Sequence, residues 1–162
     1  MLLALLASWL APHNPETFFL DQQLRGPHAG FWFGHDLFGR SVLSRILYGA
    51  RVSLGIGILV VGMNLIVGLS IGIFAAWAGG VFDALFLFIS DLFMAFPGFL
   101  LAIAIAAFVG PSIYNVIFIL SLLGWVSYAR LARGQTLSVK EREYVLAGRW
   151  LGATSPRLIW KH

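Results

Sequence analysis

Val52-Ser-Leu-Gly-Ile-Gly-Ile-Leu-Val-Val-Gly-Met-Asn-Leu-Ile-Val-Gly-Leu-Ser-Ile-Gly-Ile-Phe-Ala-Ala-Trp77 is a run of 26 residues with no charge. At about 1.5 Å of rise per residue, a helix of that length crosses a hydrocarbon core of roughly 30 Å with room for tilt. The run predicts a transmembrane helix. Beyond it the charge-poor character continues: from Val52 to Ala129 there is no lysine or arginine and only two acids, Asp83 and Asp91. Gly68 and Gly72 have the small-xxx-small spacing that lets two membrane helices approach closely, where apolar burial alone gives no drive to associate. Glycine is also simply common in membrane helices, so the pair reads equally as a packing seam or as background.

Two more spans follow. After the turn Ala78-Gly79-Gly80, residues 82–109 form an apolar stretch divided by Pro97. Proline removes one backbone donor and crowds the carbonyl four residues back, so a kink or break is expected there. A third span is predicted over 113–129, opened by the turn Gly110-Pro111-Ser112 and closed by Arg130 and Arg133. Residues 1–11 are apolar but too few to cross a bilayer, and no basic residue precedes them as in a secretory signal. They read as the remnant of a further transmembrane helix, with an interfacial segment as the alternative.

Composition agrees. Hydrophobic residues make up 59% of the chain and charged residues 11%, far from the balance of a soluble domain, so membrane lipid is the expected solvent. The formal charge of +4 does not indicate nucleic acid, because the basic residues flank apolar spans and do not line one face among stacking aromatics. The absence of cysteine removes disulfides and thiolate chemistry. The histidines His13, His28, His35 and His162 do not have the spacing of a ligand set on one helix, so no metal site is expected.

Seven basic residues lie between Arg130 and Lys161 against four arginines in the longer segment 12–51, which predicts a cytoplasmic tail and an extracytoplasmic 12–51 segment. In the latter, Asp36 is expected to cap an amphipathic helix with Val42, Leu43, Ile46 and Leu47 on one face and Arg40, Ser41, Ser44 and Arg45 on the other. That helix is expected to lie along the membrane surface or to be solvated on its basic face. In the tail, a short helix is predicted from Glu141 to Leu151. Glu141 and Glu143 suit its positive end, Gly152 suits a left-handed stop, and Pro156 suits the start of a second helix. Val145, Trp150 and Leu151 are more apolar than a solvated loop needs, which points to a partner groove or to the membrane surface.

Three stretches together resemble the permease subunits of ABC importers for dipeptides, oligopeptides and nickel: Gly34-His-Asp-Leu-Phe-Gly-Arg-Ser-Val-Leu-Ser-Arg-Ile-Leu-Tyr-Gly-Ala-Arg-Val-Ser-Leu54, then Ala95-Phe-Pro-Gly98 with Gly110-Pro-Ser112, and then Glu141-Arg-Glu-Tyr-Val145 through Gly152. The resemblance implies an all-α polytopic transmembrane helical bundle of the type I ABC-importer permease fold. The fold would be incomplete here, lacking two later helices and most of the first. Its parts would be a first-helix remnant (1–11), an extracytoplasmic segment with an amphipathic helix (12–51), three helices of the transmembrane domain (52–133) and a cytoplasmic coupling loop cut short (134–162). In the family that loop reads Glu-Ala-Ala, three residues, Gly. Here the positions fall on Leu146, Ala147, Gly148 and Gly152, so the glutamate is replaced by leucine while Ala147 and Gly152 match. The resemblance assigns ATPase coupling to Glu143, Tyr144, Ala147, Gly148, Gly152 and Pro156.

The implied protein is a transport subunit and not an enzyme. It binds no cofactor directly, and ATP is used by a partner, in keeping with the absence of a Gly-x-x-x-x-Gly-Lys-Ser/Thr phosphate loop. Its implied partners are ABC ATPase subunits, a second permease and an extracytoplasmic binding protein, in a bacterial or archaeal cell membrane. A helix-packing scaffold is the competing reading. An intramembrane enzyme finds no Ser/His pair, carboxylate dyad or His-Glu-x-x-His motif in the spans. Asp91 lies roughly 13 Å into its helix, where a lipid-facing carboxylate costs about 2.5–3.5 kcal/mol. It must therefore face protein or water, either as a packing contact or as a group on the substrate path. Asp83 is expected to cap the start of its helix.

Overall fold

The computed structural model describes residues 6–152. The helices are α1 (Ala7–Leu10), α2 (Val42–Ala78), α3 (Gly80–Ala95), α4 (Gly98–Val109), α5 (Ile113–Lys140) and α6 (Glu143–Trp150). Helices α2 and α5 are each long and apolar enough to cross a membrane, and α3 with α4 forms a third candidate span bent by 81° at its break. The chain separates within α2 into two compact parts, up to Leu59 and from Val60 onward.

In the first part, α2 begins at Val42 and runs unbroken through the predicted span, so Val42, Leu43, Ile46 and Leu47 are helical as expected but belong to the start of the long helix and not to a separate one. No proline lies between Val42 and Ala78, and an internal glycine weakens a helix by only about 1 kcal/mol. The two expected faces are not cleanly separated: Ser41 and Ser44 are buried while Arg45 and Ile46 are exposed and Val42, Leu43 and Leu47 are half-buried, and the Ser44 hydroxyl accepts the backbone N–H of His13 at 3.3 Å.

Asp36 caps a turn and not a helix. Its Oδ1 accepts the N–H groups of Phe38 and Arg40 at 2.9 Å each, its Oδ2 accepts Arg40 Nε at 2.9 Å, and Arg45 pairs with it as well. The Arg40 guanidinium lies 4.8 Å from the centre of the Phe38 ring.

His13, His28 and His35 gather around Phe31, with ring centres 4.1, 5.1 and 4.1 Å from it. His35 is buried with neither ring nitrogen partnered among the described residues. Burial, then the positive charges of His28, Arg25 and His13, lower its pKa from 6.5, against a weak opposing effect of Asp21. Asp36 behaves differently: burial pushes it up, but the backbone donors of Arg40 and Phe38 and the Arg40 side chain outweigh that and hold it at about 2.

These shifts act in separate pH windows. Below pH 6.5 the unfolded segment takes up a proton at residue 35 that the folded one resists, so folding of residues 12–41 weakens as pH falls through that value. The Asp36 contribution is complete above 3.8 and is lost only as pH falls toward 2. Limited proteolysis of this segment is accordingly expected to be faster at pH 5.5 than at 7.5, with the difference abolished by His35→Phe.

In the second part, α2 packs on α5 through the two spaced glycines. A Cβ at Gly68 would stand 2.7 Å from Tyr128 Cβ and 2.8 Å from the Trp125 carbonyl oxygen, and one at Gly72 would overlap the Ala129 carbonyl. The spacing therefore marks a packing seam. Gly124 serves the same approach from the other side, since Asn64 occupies the space its side chain would fill. Ala75, Phe86 and Ala129 form the core between α2, α3 and α5, with Leu87 and Trp125 against it.

The proline produces a full break. Phe96 is extended at φ −100°, ψ 139°, as steric contact with the following ring favours, and Pro97 stands just before the first residue of α4. At the next turn Ser112 Oγ accepts the Tyr114 N–H at 3.3 Å, while Asn115 Nδ2 donates to the carbonyls of Val109 and Gly110 at 3.0 Å each. Helix α5 runs from Ile113 past the predicted end of the span at Ala129 and continues to Lys140.

Candidate functional site

The tail helix forms close to its predicted limits. Helix α6 spans Glu143–Trp150, with Glu143 in its first turn, where a carboxylate faces the partial positive charge of the unsatisfied N–H groups. Gly152 sits at φ +80°, a left-handed conformation that side chains with a Cβ rarely adopt, so the chain leaves the helix there. Pro156 lies outside the described residues.

Of the residues expected to meet a partner, Val145 does not. It is buried, and α6 packs on α5. Trp150 and Leu151 are 89% and 88% exposed, and Tyr144 and Leu146 are also exposed. Val145 thus roots the helix while its other apolar residues face outward. Ala147 is exposed and Gly148 half-buried. Tyr144, Ala147 and Leu151 share one face by helical spacing. Asp91 and Pro97 belong to α3 and to the break after it, not to this surface.

Three contacts hold α5, from whose end α6 departs, to α2 and α3, and sequence reasoning missed all of them. Lys140, the last residue of α5, donates through Nζ to the carbonyls of Ala76 and Trp77 at 3.0 and 3.1 Å. Both belong to the last turn of α2, where carbonyls point beyond the helix end and accept from outside it. Arg133 binds Asp83 as a two-bond fork, Nε to Oδ1 at 2.5 Å and Nη2 to Oδ2 at 2.7 Å. Asp83 had been expected to cap its helix; it lies in the first turn of α3, but its carboxylate goes to α5. Arg130 pairs with Asp91. One signal for the last two was present: two acids and two arginines in spans otherwise nearly free of charge satisfy each other most cheaply in pairs.

The two ion pairs differ in kind. In Asp83–Arg133 the side chains are only 21% and 22% exposed and both carboxylate oxygens are engaged. In Asp91–Arg130 the arginine is 35% exposed and the aspartate 70%, with one carboxylate oxygen in the contact. The first locks α3 to α5; the second presents charge outward. Among the described residues no group of three or more His, Cys, Asp or Glu side chains could hold a metal ion.

Comparison with known proteins bears directly on this arrangement. Residues 68–162 match the family described as the binding-protein-dependent transport system inner membrane component. The chain is similar to the glutathione transport system permease protein GsiD of Pectobacterium atrosepticum, 36% identical over 99% of this chain and 54% of that protein. It is also similar to the dipeptide transport system permease protein DppC of Alkalihalophilus pseudofirmus, 39% identical over 98% of this chain and 50% of that protein. The GsiD protein of Escherichia coli is 37% identical over the whole chain. The chain spans about half the length of these curated relatives. A helical bundle with candidate membrane spans, a helix rooted at the end of one of them, and this extent of matching place the chain in the binding-protein-dependent transport system inner membrane component family.

Proposed function

We propose that this chain forms part of a permease subunit of an ATP-driven importer, contributing to the translocation path for small peptides, with α6 as the helix that couples it to a separate ATPase. The observation that carries the reading is the seating of α6: Val145 is buried while Trp150 and Leu151 stand almost fully exposed at its far end. A short rigid helix with an apolar tip fits a groove on a second protein, and contacts that differ between two states of that protein would shift the spans behind it. ATP would be bound and hydrolysed by that partner.

The remaining partners in this reading are a second permease subunit and an extracytoplasmic binding protein that delivers the solute. The excess of lysine and arginine from Arg130 onward supports a cytoplasmic position for α6. The peptide assignment draws on the names of the similar proteins, one a dipeptide and the others glutathione permeases. Residues Glu143, Tyr144, Ala147, Gly148 and Gly152 form or bound the docking helix, Pro97 sets the break in the middle span, and Asp91 is an intramembrane polar site.

The test uses the complete transporter reconstituted in vesicles. Trp150→Ala is expected to weaken retention of the ATPase subunit by about 2 kcal/mol, roughly thirtyfold, as for a central aromatic anchor. Gly152→Arg, which places a bulky side chain at a left-handed position, is expected to reduce ATP-driven uptake about tenfold or more. If both variants keep the ATPase and the uptake of the unmodified protein, α6 is not the coupling element and the scaffold reading replaces this one.

A further inference from the structure

We propose that His13, His28 and His35, gathered around Phe31, form an acid-released latch that holds residues 13–35 on the head of α2. A proton taken up at position 35 frees that stretch and leaves the turn at Asp36 in place. The device does not depend on the coupling role of α6.

The first observation is what the cluster holds. The His35 N–H donates to the Arg25 carbonyl at 3.0 Å and the Leu24 N–H to the Asp36 carbonyl at 3.1 Å, while the Gly34 carbonyl accepts the N–H of Val42, the first residue of α2, at 3.1 Å. His35 also pairs with Ser41 in a single antiparallel bridge, and His13 reaches Ser44 through its N–H. Position 35 thus joins the loop to the helix head. Ser41 and Ser44 there are 1% and 0% exposed.

The second is that the surroundings suit a neutral ring alone. His35 is 5% exposed, with the Phe31 ring 4.1 Å away, His28 5.3 Å and the edge-on Phe19 5.9 Å. An imidazolium carries two N–H donors, and neither ring nitrogen has an acceptor among the described residues. No counter-charge is at hand either. Arg25, His28 and His13 oppose a positive ring, Asp21 favours it only weakly, and α2 contains no acid. The adjacent carboxylate of Asp36 is spent on Phe38, Arg40 and Arg45. Burying a charge without a partner is prohibitive, so the proton and the closed cluster exclude each other.

The third is a hinge between two ranges of pH. Asp36 keeps its charge down to about 2, far below the range in which an imidazole takes up a proton. Near pH 5.5 the turn over residues 36–40 therefore stays tied by Arg40 and Arg45, while the stretch before it lets go. With an open-state value of 6.5, the constant for opening rises by about tenfold between pH 7.5 and 5.5.

The chain has no cysteine, so a single introduced thiol reports one position. In the complete protein in detergent, the labelling rate of Ser41→Cys is divided by that of Gly49→Cys, an exposed helical position with nothing within 4 Å of a Cβ. The quotient cancels the effect of pH on the thiol itself. It is expected to rise about tenfold from pH 7.5 to 5.5, and to stay low at both values in His35→Phe and in His35→Gln. Val126→Cys, in α5 at a position 3% exposed, is expected to remain protected throughout.

A quotient that does not change with pH overturns the latch, and so does a rise that survives both substitutions at position 35. Opening of Val126→Cys in step with Ser41→Cys overturns it as well, because acid then loosens the whole chain.

Discussion

Gly72→Val is expected to destabilise the membrane-embedded part by about 3 kcal/mol, the upper end of the usual overpacking range. The reason is the identity of the obstacle. A Cβ at position 72 runs into the backbone carbonyl of Ala129, which cannot turn aside as a side-chain tip can, so α2 and α5 must separate. Separation also removes the Gly68 contact with Trp125 and Tyr128 and loosens the core around Ala75 and Ala129. In lipid, close van der Waals contact is the main attraction between such helices, so little compensates for the loss. Gly55→Ala is the informative comparison: nothing lies within 4 Å of a Cβ there, and the change is expected to be neutral or stabilising by up to about 1 kcal/mol through helix propensity. Denaturation midpoints of the two variants in detergent, measured beside the unmodified protein, check both. Equal midpoints for the two would remove the seam from the account.

The second large effect is expected at Arg133. Arg133→Ala leaves Asp83 charged, about four-fifths buried and without its two-bond partner. Breaking a buried pair on one side costs about 3–5 kcal/mol, and partial exposure of both side chains places the expectation at about 3 kcal/mol. Asp83→Ala with Arg133→Ala removes both charges together and is expected to recover more than half of that loss, since the penalty of the single variant is mostly the stranded charge. A double-mutant cycle on the same denaturation measurement reads the coupling. Additive effects would show that the fork contributes nothing beyond its separate side chains.

Both effects concern contacts between helices, and this is where the sequence was least legible. The spans could be read because an uncharged run over residues 52–77 has few alternatives. The break at Pro97 and the stop at Gly152 could be read because ring sterics and positive φ are local properties. The spacing of Gly68 and Gly72 was ambiguous alone and became a seam only once Ala129 was seen against it. Asp83 was misread as a cap because its nearest chemistry in sequence is the helix start, whereas its partner stands 50 residues away. Asp36 was read as capping the helix at Val42 because the turn that consumes its oxygens depends on Arg40 and Arg45 folding back onto it. Val145 was grouped with Trp150 and Leu151 by hydropathy, and only the approach of α6 to α5 separates them. For the candidate site, residue types and helix limits were therefore local information, while orientation and anchoring required the neighbouring elements.

Lys140 gives the tail a mechanical property that its length alone would not. It is the last residue of α5, it grips the terminal carbonyls of α2, and α6 begins three positions later. A load applied at Trp150 is consequently shared between two pillars from the outset, and the short arm acts as a crank whose pivot is a single ammonium group.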